Sequence, residues 1–255
     1  MKRHFFVGCF SLMAALGCGE ERSQGTVMLF PETMGAGGVD AGTNPGAEDG
    51  ALVGDQGQSR ARVNARVRII NPIGGAFVGV RILGPYDEAI TDTSGSAVVQ
   101  VDPGEFRLAL DAPGARRHHL FGVATDVDFE QITYLSPEMI TGLVYGQLGL
   151  ADDPEKGIVV VGLDRASLAP AIGAEATLDV ESDDGFVIAG PQASIGTSIP
   201  PNGQGFVTFP NVVPGTASVS ATYPGGQCRV FPANGPEREI EVIAGEVSII
   251  AYTCE

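Results

Sequence analysis

The 255-residue chain sets 31 acidic side chains against 15 Lys and Arg, a formal charge of −16. That balance excludes a nucleic-acid binder working through clustered cations and a polybasic membrane contact. With 36 Gly, 17 Pro and no Trp, many turns and short elements are expected, and the length suffices for two small domains.

The N-terminal run MKRHFFVGCFSLMAALGC places Lys2 and Arg3 before an apolar stretch, Phe5 to Leu16, of about 12 residues. A membrane-spanning helix needs about 20, so the segment has the layout of a secretion signal. Its end, Ala14-Ala15-Leu16-Gly17-Cys18, resembles the lipobox of bacterial lipoproteins, with Ala15 where that motif favours Leu. The resemblance implies cleavage after Gly17, a lipid on Cys18, and an exported protein held at the outer membrane or cell surface. Several acyl chains at about 0.8 kcal/mol per buried CH₂ would anchor it firmly. Residues 1–17 are then the signal, and Cys9 leaves with it.

Residues 18–60 hold no sustained apolar periodicity. GAGGVDAGTNPGAEDGALVGDQGQS has almost nothing to bury, so it cannot offset its ordering entropy. It reads as a tether of about 40 residues with a mean reach of about 35 Å. TVMLF (Thr26 to Phe30) is its one apolar patch.

From Ala61 the pattern changes to strict alternation: Val63, Ala65, Val67 and Ile69 against Arg60, Arg62, Asn64, Arg66 and Arg68. Period-two alternation predicts a strand with one face buried. Turns at Asn71-Pro72, Gly74-Gly75 and Gly84-Pro85 separate it from Val78, Val80 and Ile82 and from Ala97, Val99 and Val101. The break Asp102-Pro103-Gly104 then precedes Phe106, Leu108 and Leu110. Such spacing indicates an antiparallel sandwich or barrel.

A helix is expected from Ser136 as N-cap, with Pro137 in the first helical position and Glu138 favouring the helix N-terminus. Ile140, Leu143, Val144 and Leu148 would share one face, and Gly149 would end it. This helix and the acidic loop Asp152-Asp153-Pro154-Glu155 form a connector over 136–155. Ile158 to Leu163 opens a second strand series that closes with Glu246 to Cys254.

The two series repeat one pattern. GSAVVQVDPGEFRLALDAPG and GQGFVTFPNVVPGTASVSATYPG each carry a Gly turn, a strand, a Pro-Gly corner and another strand. TDTSGSAVVQVDPGEFRLAL resembles the carboxypeptidase regulatory-like fold, a transthyretin- or prealbumin-like β-sandwich; Pro201 to Ser220 matches less completely, with Asn202 where Asp is usual. The expectation is a mainly all-β chain of two tandem Ig-like or prealbumin-like sandwiches, 61–135 and 156–255, with one short connecting helix. The resemblance implies non-catalytic modules that bind partners or act as spacers. The related collagen-binding B-type domains carry a Lys–Asn isopeptide; Lys156 is suitably placed, but Glu246 to Cys254 offers no Asn or Asp acceptor.

Cys228 and Cys254 are the two thiols left in the exported body, and pairing is their default. His118 and His119 are adjacent, so on a strand they point to opposite faces; with Arg116-Arg117 they read as a polar loop or edge. Asp126, Asp128 and Glu130, and Glu181, Asp183 and Asp184, could ligate Ca²⁺, though without EF-hand spacing, and solvated surface is the simpler reading. No nucleophile motif, metal motif or phosphate loop is present. No catalytic residue, metal or cofactor is therefore expected. The arginine stripe could meet an anionic surface polysaccharide or pair with acidic neighbours across the sheet. Phe186, Phe206, Phe209, Tyr223 and Phe231 are aromatic candidates for a binding face, or else core. The functions left open are a spacer or binding adaptor anchored through its lipid with an envelope protein or polysaccharide as partner, and an accessory carbohydrate- or peptide-binding subunit of a surface complex.

Overall fold

A computed structural model describes residues 61–71, 75–232 and 237–255. The expected signal over 1–17, Cys18 and the expected tether over 18–60 lie outside the described residues. The first series comprises β1 (Val63–Ile70), β2 (Arg81–Leu83), β3 (Glu88–Ile90), β4 (Ser96–Val101), β5 (Gly104–Asp111), β6 (His118–Ala124) and β7 (Phe129–Tyr134). One helix, α1 (Glu138–Leu148), leads to the second series. That series runs β8 (Gly157–Asp164), β9 (Glu175–Leu178), β10 (Phe186–Ala189), β11 (Gln192–Ile195), β12 (Gly203–Val212) and β13 (Gly215–Thr222). It ends with β14 (Cys228–Val230), β15 (Glu237–Val242) and β16 (Val247–Cys254).

The fold is mainly β and contains two sandwiches built on one plan. In the first, β4-β1-β7 forms a sheet in which β4 is antiparallel and β7 parallel to β1. In the second, β12-β8-β16 repeats that arrangement around β8. The opposing layers correspond as well: β2-β5-β6 in the first and β9-β13-β15 in the second are both antiparallel.

The glycines predicted from the repeat sit at matched backbone positions. Gly95 and Gly205 both have φ 77°, Gly104 and Gly215 have 117° and 136°, and Gly114 and Gly225 have 71° and 76°. L side chains rarely adopt these values. At each Pro-Gly corner the chain leaves one sheet and enters the facing one, β4 to β5 and β12 to β13. Two strands joined by so sharp a corner bury their apolar faces against each other, which is how one motif builds a sandwich.

A ten-stranded sheet joins the two units, because β16 pairs in parallel with β6 as well as with β8. The order across it is β11-β10-β12-β8-β16-β6-β5-β2-β3, with β14 on β16. Its central strands are covered on both faces. Ile158 and Val160 of β8 point into one core, with Val67, Leu108 and Leu120; Val159, Val161 and Leu163 point into the other, with Val219, Ile240 and Tyr252. Near-continuous apolar runs such as VSIIAY in β16 are what such two-sided burial requires.

The helix differs from expectation in detail. Pro137 occupies the N-cap and no side chain caps the helix, while Gly149 ends it in the left-handed conformation and donates to the Tyr145 carbonyl. Tyr145 is the buried residue of α1, and Leu143 is 65 % exposed. The face that packs keeps Val144 and Leu148 of the predicted stripe but takes Tyr145 in place of Leu143, and the ring of Tyr145 meets Phe186 edge-on at 6.2 Å.

Candidate functional site

The seam between β6 and β16 sets His118 opposite Val247 and His119 opposite Ser248. Both histidines are buried, at 2 % and 4 % exposure, which corrects the reading of RRHH as a polar loop or edge. The two preceding arginines masked an interior strand. Opposite orientation holds: each imidazole serves a different face of the sheet.

His118 donates from Nδ1 to the Arg116 carbonyl at 2.7 Å, so its Nε2 is an acceptor in the neutral ring. Burial pulls its pKa down from 6.5 to about 4. It borders a cavity of about 50 Å³ shared with Tyr134, Tyr145, Phe186 and Phe206. Tyr145 Oη and Arg116 Nη1 are buried there without a protein partner, and the space admits a few waters. Ser136 also borders the cavity, but its hydroxyl accepts from Thr141 at 3.1 Å and donates to the Pro137 carbonyl at 3.5 Å rather than to an imidazole. A nucleophile needs a base within hydrogen-bond reach, and Ser136 has no such bond to His118.

On the opposite face, Arg107 Nε donates to His119 Nδ1 at 3.0 Å, which leaves Nε2–H to donate to Glu246. Arg107 also pairs with Glu241 at 2.5 Å, and Arg238 pairs with Glu105. These contacts run from β5 and β6 of the first sandwich to β15 and the β15–β16 turn of the second. They tie the two sandwiches together across the seam.

The sequence candidates fare unevenly. Cys228 and Cys254 are bonded, and they face each other across β14 and β16. The two acidic clusters do not converge: no group of three or more His, Cys, Asp or Glu side chains able to hold a metal occurs among the described residues. Asp126 and Asp128 lie in the β6–β7 turn rather than along a strand. Asp128 accepts from the Asn64 backbone and amide, and Asp183 from Asn211 Nδ2. Phe186, Phe206 and Phe209 are core, each 5 % exposed or less; Tyr223 and Phe231 are half-buried.

Arg60 lies outside the described residues; Arg62, Arg66 and Arg68 lie on the outward face of the β4-β1-β7 sheet, and the alternative of cross-sheet ion pairs is not realised by them among the described residues. Of the described arginines, Arg81, Arg107, Arg116, Arg117 and Arg238 pair with carboxylates, whereas Arg62, Arg66 and Arg68 form no ion pair among the described residues. Arg62 lies 3.6 Å above the Tyr86 ring, a cation–π contact.

No protein-family model matches the sequence, and no curated protein is a significant match. Among solved structures, the chain is similar to the Bacillus anthracis TIE protein at 11% identity and a TM-score of 0.27, over 76% of this chain and 34% of that one. It thus spans about a third of that protein. GBS52, the minor pilin of Streptococcus agalactiae, gives 11% identity and 0.27 over 74% of this chain and 95% of the pilin. The shaft pilin SpaA of Lactobacillus rhamnosus GG gives 8% and 0.22 over 76% and 98%. TM-scores this low do not establish a common fold, and the two-sandwich architecture rests on the chain's own sheets. No helix among the described residues is long and apolar enough to cross a membrane.

Proposed function

We propose that this chain is a lipid-anchored, non-catalytic module of the cell envelope that holds two fused β-sandwiches off a membrane as a spacer or binding adaptor. The observation that carries the reading is the Cys228–Cys254 disulfide, a bond that persists in oxidising compartments and is rare in the cytosol. It agrees with the export signature at residues 1–17 and the lipid-attachment cysteine, Cys18. The sandwiches themselves favour display over chemistry. Their buried histidines are held by Arg116, Arg107 and Glu246, and Ser136 has no base.

Expression of the full chain in a bacterium fed an alkyne-bearing fatty acid tests this reading. The protein should carry the label and sediment with the envelope, and Cys18→Ser should abolish both. An unlabelled protein found in the cytosolic fraction with Cys228 and Cys254 reduced would overturn it.

A further inference from the structure

The outward face of β1 and the residue before it carry three arginines that form no ion pair among the described residues, in a chain whose formal charge is −16. Arg62, Arg66 and Arg68 are exposed there, with Asn64 between them. Alternate strand residues lie about 6.8 Å apart, so Arg66 and Arg68 are neighbours and Arg62 stands about two such steps from Arg66. Acidic side chains border this face, and their hydrogen bonds go to neutral donors, although Arg66 lies near enough to Asp92 to lower its pKa. Asp128 holds Asn64, Asp92 holds Ser94 and the Ser96 backbone, and Asp102 holds the Tyr86 hydroxyl. Glu130 alone lies directly across from Arg66 in the strand register, and it forms no ion pair with it.

We propose that this face binds an acidic polysaccharide through its sugar carboxylates, an inference that rests on the adaptor reading above. Three arginines on one side of one extended segment, Arg62 stacked on Tyr86, present planar donor forks suited to successive carboxylates along an extended polymer. Tyr86, 44 % exposed, adds a ring face beside Arg62. The surface is flat and polar, with Val98 at 40 % exposure its one large open apolar side chain, so it lacks the desolvated pocket that anchors a protein partner. Duplex DNA carries a charge about every 1.7 Å, and an anionic bilayer is a continuous negative surface. A strongly acidic chain is repelled by such dense charge, whereas a single polysaccharide strand reaches one face only.

The test is retention of the purified full-length protein on immobilised polygalacturonate at low salt. Dextran, duplex DNA, phosphatidylglycerol vesicles and polyglutamate serve as comparisons. Binding should be confined to polygalacturonate and fall with added salt. The triple variant Arg62→Gln, Arg66→Gln, Arg68→Gln should lose about tenfold or more in affinity. Glu130→Gln should tighten binding, and Arg117→Gln, which breaks a pair with Asp111 on another strand, should leave it unchanged. No retention, equal retention of the triple variant, or equal binding to DNA, vesicles or polyglutamate would overturn the proposal. Fatty-acid labelling of Cys18 in the same preparation separates the two readings: a labelled protein that ignores the polysaccharide loses this ligand and keeps its anchor.

Discussion

His118 and Val247 lie opposite each other in the parallel β6–β16 pair that joins the two sandwiches. Because β16 is also the partner of β8, the last strand of the chain belongs to both units. Ile249 points into the first core and Ile250 into the second. The two repeats should therefore unfold as one. Calorimetric and van't Hoff enthalpies should agree within error, and Ile249→Ala and Ile250→Ala should each destabilise the whole by about 2–5 kcal/mol. Two resolved transitions, each sensitive to only one of the variants, would contradict a shared seam.

The disulfide acts on the same strand. Cys228 and Cys254 are 26 residues apart, and closing such a loop limits the unfolded chain by roughly 3 kcal/mol in the entropy model. Since β16 reaches into the first sandwich, this stabilisation extends beyond the second. Cys228→Ser with Cys254→Ser should lower the urea midpoint of a probe in the first sandwich as much as that of one in the second. A loss confined to the second would show that the seam does not transmit it.

Much of this architecture was legible in the sequence, for physical reasons that also mark where legibility ends. Val63 to Ile69, Ala97 to Val101 and Phe106 to Leu110 bury one face each, and one-sided burial writes itself as alternation. The Pro-Gly corners demanded positive φ, so their spacing exposed the repeat. The β6–β16 pairing left no such trace. Parallel strands buried on both faces read as continuous apolar runs, and nothing in HHLFGVA names VSIIAY as its partner. Arg116-Arg117 give the segment the polarity of a loop, although His118 and His119 open an interior strand. The arginine face was visible as residues, but that its neighbouring carboxylates are occupied by Asn64, Ser94 and Tyr86 is a fact of three dimensions.

The matched glycines separate two costs. Gly95 and Gly114 have nearly the same φ, 77° and 71°, and an L side chain there costs about 1–2 kcal/mol. A Cβ on Gly95 would also meet the Ile69 carbonyl oxygen at 2.5 Å, while one on Gly114 meets nothing within 4 Å. Gly95→Ala should thus be clearly the more damaging of the two by chemical denaturation. Equal losses would mean that the conformational cost alone governs these turns.

Two desolvated groups, His118 in the interior and the half-buried Asp164, should give stability opposite dependences on pH. His118 titrates at about 4 instead of 6.5 because burial disfavours its charged form. Between those values the unfolded chain binds the extra proton, so this residue removes stability as pH falls from 6.5 towards 4. Asp164 titrates at about 7 instead of 3.8, again through burial. Over nearly the same range the folded state holds the proton and the unfolded state does not, so Asp164 adds stability as pH falls from 7 towards 4. Each effect is on the order of 3 kcal/mol at 1.36 kcal/mol per pH unit, and together they largely cancel. Asp164→Asn should therefore make the protein lose stability on acidification from pH 7 to 4.5 faster than the parent chain. His118→Gln should do the reverse, and denaturation series at the two pH values read the difference directly. Parallel slopes for the parent and both variants would show that neither group is desolvated as the fold places it.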